Sequence, residues 1–200
     1  MSPAARLFRP LLVLALLGPL LSACGINTIP TLEEQAKASW SQVQNQYQRR
    51  SDLIPNLVET VKGYAAQEKE VLTAVVEARA KATATNIDAS QLTDPAAVQK
   101  FQAAQGELSG ALSRLLVTVE AYPDLKSNQN FLALQSQLEG TENRIAVARR
   151  DFIDAVRVYN TELRTIPGSW YASWFYPESK PMESFTAEAG SDQPPTVKFN

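Results

Sequence analysis

From Val98 onward one spacing governs the chain: Val98, Phe101, Gln105, Leu108, Leu112, Leu115, Val119 and Tyr122 follow one another at steps of three and four. Successive helical residues turn about 100° around the axis, so these steps place every one of those side chains on a single stripe. A stripe this narrow is a seam between packed helices and suits a bundle, whereas a sheet would need a period of two. Thr93 or Asp94 followed by Pro95 starts the helix, because the first turn leaves unused the N–H that proline lacks. Tyr122-Pro123-Asp124 ends it.

The same spacing recurs on both sides. Thr31 is expected to cap a first helix, with Glu33 and Glu34 in the favoured first turn, and Leu32, Ala36, Trp40, Val43 and Tyr47 carry its stripe to Arg50 or Ser51. Pro55 disfavours helical geometry at Ile54, which predicts a break or kink at Asp52 to Pro55. Asp52 then caps a second helix that runs through Leu57, Val58, Val61, Ala65, Leu72, Val75 and Arg79 toward Asn86. After a polar connection at 87–94 and the seam helix, a fourth helix from about Ser127 carries Phe131, Leu134, Leu138, Thr141, Ile145, Ala148, Phe152, Ala155, Tyr159 and Leu163. Ile166-Pro167-Gly168 stops it, so at 1.5 Å per residue it is on the order of 55 Å long. Strand-like alternation is nearly absent. The expected fold is all-α: an elongated antiparallel up-and-down four-helix bundle over 31–166 with an irregular aromatic and proline-rich C-terminal tail over 167–200. That tail is expected to be extended or partly disordered rather than helical, with Phe185, Val197 and Phe199 as points that would hold it along the bundle.

The start of the chain reads differently. Arg6 and Arg9 precede an apolar run from Leu11 to Leu21, broken by Gly18-Pro19, which is the layout of an export signal. It is too short for a spanning helix, which needs roughly 20 apolar residues. Leu21-Ser22-Ala23 leads into Cys24, the single cysteine, and Leu-Ser-Ala-Cys looks like a bacterial lipobox. Residues 1–23 would be removed between Ala23 and Cys24, the sulfur would carry a diacylglycerol, and 24–30 would be a lipidated spacer. Stable anchoring takes more than one acyl chain, a need that two or three chains on one cysteine meet. Gly25, where an aspartate would signal inner-membrane retention, favours the outer membrane.

Composition then narrows the chemistry. Without residues 1–23, 17 of the 19 basic side chains remain against 21 acidic ones, a balance that argues against binding a phosphate backbone and hence against nucleic acid. The chain has no histidine and its one thiol is occupied, which excludes His-based triads, Cys-His pairs, thiol redox chemistry and the usual zinc or copper sites. No cofactor, metal or small-molecule substrate is expected.

Three longer stretches carry a resemblance. "RRSDLIPNLVETVKGYAAQEKEVL" from Arg49, "EAYPDLKSNQNFLALQSQLEGTENRIAVARRDF" from Glu120 and "VYNTELRTIP" from Val158 resemble the LemA family, in register from about Trp40 to Pro167, and the closing "PTVKF" resembles the family's end. The resemblance implies a four-helix up-and-down bundle attached to a bacterial membrane, with no agreed biochemical activity. LemA proteins typically begin with an uncleaved transmembrane helix running into the first bundle helix, whereas here a lipobox stands in its place. The membrane attachment is kept and its chemistry is changed.

Two surfaces follow from helix direction. If four helices alternate, Asp52, Pro55 and Asn56 share one end of the rod with Tyr122, Pro123 and Asp124, a distal tip that is the candidate partner-binding surface beside the plainer reading of two turns. An even count also returns Trp170, Tyr171 and Trp174 to the Cys24 end, where they would rest on lipid headgroups or plug the open end of the bundle. Arg49-Arg50 and Arg149-Arg150 are expected to be solvated or to bridge to acids such as Glu142 and Asp151, and Glu68, Arg79, Gln105 and Thr141 to form a polar layer that sets register. The expected function is a non-catalytic, lipid-anchored interaction or scaffold module of the cell envelope, facing the periplasm and bound to an envelope protein. A cell-wall-glycan enzyme using paired carboxylates, or a periplasmic chaperone or lipid carrier, is the alternative; the first would need two carboxylates about 5 to 9.5 Å apart in a cleft.

Overall fold

The computed structural model describes residues 25–186, so Ala23 and Cys24, like Val197 and Phe199, lie outside the described residues. Six α-helices follow one another: α1 Thr28–Lys62, α2 Lys69–Ala84, α3 Pro95–Val119, α4 Pro123–Lys126, α5 Gln129–Arg164 and α6 Gly168–Phe175, with a 3-10 turn at Ala89–Thr93. Among the described residues there is no strand, and the all-α expectation holds. The capping chemistry read from the sequence is present at the Asp94 start, a cap at Asn128 goes beyond that reading, and Thr31, the expected first cap, lies inside α1. Asp94 Oδ1 accepts from the Ala96 N–H at 2.9 Å with Pro95 behind it, and Asn128 Oδ1 accepts from the Phe131 N–H at 3.1 Å.

Contacts give the helix directions. Trp40 meets Phe152, Arg50 meets Glu142 and Tyr64 meets Asn128, so α1 and α5 run antiparallel along most of their length. Glu68 meets Tyr122 and Lys81 meets Glu107, which makes α2 and α3 antiparallel as well.

The predicted break at Asp52 to Pro55 is absent, and α1 runs through Pro55 without interruption. A proline in a helix interior removes the N–H that would bond the carbonyl four residues earlier, here Ser51, at a cost of about 3 kcal/mol. Arg79 on α2 reaches across and donates its Nε–H to that same Ser51 carbonyl at 2.8 Å. The lost helix bond is thus replaced by one from a neighbouring helix, while Ile54, Leu57 and Val58 stay on one buried stripe. The first reversal of the chain lies instead at 63–68.

Two apolar cores are separated by a polar waist. One holds Trp40, Tyr47, Phe101, Phe152, Tyr159 and Phe185; the other is aliphatic apart from Phe131, and includes Ile54, Leu57, Val61, Leu108, Leu115 and Leu138. Between them lie Arg50, Ser51, Gln105 and Thr141, all buried. The predicted polar layer is therefore present in Gln105 and Thr141, and Arg79 joins it through Ser51; Glu68 sits elsewhere, at the end of the molecule. Helix α2 ends at the waist, where Thr83 meets Ser51, so it flanks only the aliphatic half of α1.

The aromatic half is closed by the C-terminal segment. Its backbone pairs with two amide side chains: Asn160 accepts from the Met182 N–H at 2.9 Å and donates to the Met182 carbonyl at 2.8 Å, and Gln102 donates to the Thr186 carbonyl at 2.6 Å. Phe185 then enters the core against Trp40 and Phe152, at ring centroid distances of 5.9 and 5.5 Å. Phe185 holds the tail as predicted. The expectation that the tail is not helical needs correcting at 168–175, where α6 forms because Gly168 lets the chain turn back against the end of α5: a Cβ there would lie 2.2 Å from the Glu162 carbonyl oxygen.

Candidate functional site

Three places on the molecule gather unusual side chains: the two ends and the waist. At the waist, Arg50 is buried to 1% exposure, where a charge is expensive unless it is paired. Its Nη1 donates to Ser109 Oγ at 2.8 Å and to Glu142 at 3.0 Å, its Nη2 donates to Gln105 Oε1 at 2.6 Å, and its guanidinium lies 5.0 Å from the Tyr47 ring centre. One side chain thereby fastens α1 to α3 and α5. The sequence expectation of a bridge to Glu142 is met, but Arg50 is buried rather than solvated. Arg150 pairs with Asp151 at 3.7 Å, while Arg149 lies 4.5 Å over the Phe185 ring.

Beside the waist a cleft of about 310 Å³ opens between α1, α2 and α3, lined by Gln44, Gln48, Ser51, Thr83, Asn86 and Gln105 among others. Its lining contains no carboxylate and no cation. Such a surface can hydrogen-bond but offers no general acid or base of ordinary strength. Among the described residues no group of three or more His, Cys, Asp or Glu side chains is placed to hold a metal ion.

The distal end is built differently from the sequence expectation. Tyr122 and Asp124 are there, on the turn around α4, but Asp52, Pro55 and Asn56 lie along the exposed side of α1, Asn56 roughly 9 Å of helix short of its last residue. What meets the Tyr122 turn is the reversal at 63–68. Tyr122 donates its phenol proton to Glu68 Oε1 at 2.5 Å and accepts from Gln67 Nε2 at 2.9 Å, and Asn128 donates to the Tyr64 hydroxyl at 2.8 Å. The bond to Glu68 holds the Tyr122 proton and pushes its ionisation above the ordinary phenol value. Tyr64, Gln67, Glu68 and Asn128 are thus tip residues that sequence reading missed. Gly63, which follows the last residue of α1, was the available signal, masked by the stronger break expected at proline.

The opposite end carries α6. Tyr171 and Ala172 pack on the aromatic core, whereas Ile166, Trp170, Trp174 and Phe175 are 67, 53, 74 and 55% exposed. Gly25 lies against Tyr171, close enough that a Cβ on it would stand 2.8 Å from the Tyr171 Cε2. Helix α6 therefore does in part what plugging the bundle end requires, and leaves its tryptophans outside.

A model of the LemA family matches residues 39–199, spanning α1 from Ser39, the waist, the distal end and α6. The chain belongs to the LemA family. Among curated proteins it is similar to magnetosome protein MamQ 2 and magnetosome protein MamQ 1 of Paramagnetospirillum magneticum, each 28% identical over 184 residues, and to magnetosome protein MamQ of Magnetospirillum gryphiswaldense, 26% identical over 188 residues. Each alignment covers 84% of this chain and 67% of the relative. Among the described residues of this LemA protein no helix is long and apolar enough to cross a membrane.

Proposed function

We propose that this LemA protein is a lipid-anchored, non-catalytic interaction module of the bacterial envelope. Acylated Cys24 holds one end at a membrane, facing the periplasm with the outer membrane favoured, and the far end docks an envelope protein. In this reading α1, α2, α3 and α5 form an up-and-down bundle, supported by the antiparallel pairs α1 with α5 and α2 with α3. The observation that carries the proposal is the placement of the two ends. Gly25, the residue after Cys24, abuts α6 at one end, and Tyr64, Tyr122 and Asp124 gather at the other. A tether at one end leaves the other free to meet a neighbour. The cleft at the waist offers only neutral amides and hydroxyls with its apolar walls, which suits docking there and not glycan cleavage by a carboxylate pair.

Two measurements test it. Growth with radioactive fatty acid should label the native protein and leave Cys24→Ser unlabelled; an unlabelled native protein removes the anchor. Photocrosslinking in cells from positions 64 and 124 should capture one protein that position 56, on the side of α1, captures far less. Equal yields at all three positions would refute the distal tip.

A further inference from the structure

We infer that α6 is a second membrane contact, an aromatic foot that seats its Trp170, Trp174 and Phe175 in the headgroup layer of a phospholipid bilayer. The inference rests on the proposed anchor at Cys24, since it is the acyl chains that bring this end to a bilayer. Elsewhere among the described residues the large exposed apolar side chains are scattered, as with Val76, Val117, Leu132, Val147 and Val158. Here Ile166, Trp170, Trp174 and Phe175 fall within ten residues, and Trp170 and Trp174, four apart on α6, share one stripe. Isolated exposed apolar residues need no account, but a contiguous group calls for a partner.

Three observations point to lipid as that partner. The segment 165–177 has no charged side chain, in a protein in which 20% of residues are charged, and is flanked by Arg164 on one side and Glu178 on the other. Its exposed rings are of the type that collects at membrane interfaces, apolar in body with a polar N–H in tryptophan. Its position is beside Gly25. A tether one residue away raises the effective concentration of bilayer around α6 far above that of any dissolved partner, so even a weak preference for the interface is realised. Tyr171 and Ala172 meanwhile hold the helix on the aromatic core, which fixes the angle at which the helical rod leaves the membrane.

Residues 24–200 carrying Cys24→Ser, made without the 1–23 leader, test the foot without the anchor. With vesicles of phosphatidylethanolamine and phosphatidylglycerol, replacing Trp170 and Trp174 by alanine should weaken partitioning by about tenfold or more, from the apolar area that two rings withdraw from water. Both side chains are exposed, so circular dichroism should not change. Vesicles with brominated acyl chains should quench Trp170 and Trp174, whereas the Trp170→Phe/Trp174→Phe protein, which retains Trp40 in its core, should keep its emission. Equal partitioning of the two proteins, or no quenching of the parent, overturns the foot. So does a concentration-dependent dimer without vesicle binding that the alanine substitutions abolish, which would assign the stripe to a second copy. Loss of fatty-acid labelling fails the anchor alone, because the foot is measured on protein that has none.

Discussion

The aromatic and aliphatic halves of this molecule solve the same packing problem with different means. In the aliphatic half α2 lies beside α1, and Val, Leu and Ala at helical spacing are enough to fill the interior between neighbouring backbones. In the aromatic half α2 has ended, α1 and α5 continue, and the missing helix is replaced by Ile87, the turn at Leu92 and the strap at Met182 and Phe185. Irregular backbone leaves a wider gap than a helix does, so larger side chains fill it: the Trp40 ring lies 5.2 Å from Phe101 and from Phe152, and its indole N–H finds the Ile87 carbonyl at 3.3 Å. The difference teaches that the proposed membrane-proximal half depends on residues remote in sequence, whereas the distal half is closed largely by neighbouring helices.

The comparison can be broken most strongly at its centre. Trp40→Ala should cost about 3–5 kcal/mol and Leu115→Ala about 2–4 kcal/mol, read from urea unfolding, because the aromatic half cannot collapse around the larger void. A smaller loss at Trp40 than at Leu115 would show that the strap relaxes into the cavity. Glu142→Gln leaves the Arg50 guanidinium, 1% exposed, without a counter-charge, for a loss of about 3 kcal/mol; Arg50→Met should cost less, about 1–2 kcal/mol from the unpaired Gln105 and Ser109, since the Glu142 carboxylate it leaves behind is 42% exposed. Phe185→Ala should cost about 2 kcal/mol from lost burial and should speed hydrogen exchange at Met182 and Glu183 while leaving α2 protected. Faster exchange in both halves would mean the strap supports the whole bundle.

Subtler effects sharpen the picture. Arg79→Met should cost on the order of 1–2 kcal/mol by leaving the Ser51 carbonyl unpaired, and clearly less in a Pro55→Ala background, where residue 55 regains its N–H. Additive losses in that double-mutant cycle would detach Arg79 from the proline. The smallest effect is alkaline. Burial first of all raises the ionisation of Tyr47 and Tyr159, and the bond to Glu68 that of Tyr122. Unfolded phenols lose their protons near pH 10, so above it the unfolded state binds fewer protons than the folded one and stability falls as pH rises through the folded values. Stability should be insensitive to these groups below about pH 10, and Tyr122→Phe should remove only the distal share of the loss, measurable as local exchange at 63–68.

Much of the fold was legible because helical spacing is a local property. The stripe on α3, the cap at Asp94 and the end of α5 near Ile166 all follow from residues within a few positions of one another. The candidate ends were half legible. Tyr122 and Asp124 stand where their proline turn suggested, and Trp170 to Trp174 return to the Gly25 end, but Asp52, Pro55 and Asn56 lie on the side of α1 and Tyr64 takes their place. Proline was read by its local cost alone, and the side chain that offsets that cost, Arg79, is 24 residues further on.

By itself, then, the sequence determined which residues carry the helical stripes, where α3 and α5 start, and that the chain is a LemA protein lacking histidine chemistry, because periodicity, caps and composition need no knowledge of neighbours in space. Only the tertiary structure decided that α1 passes through Pro55, that Arg50 is buried at a waist, and that an extended strap closes the aromatic core. Each of those rests on a hydrogen bond or a ring contact between residues far apart in the chain, whose worth depends on geometry that spacing does not encode.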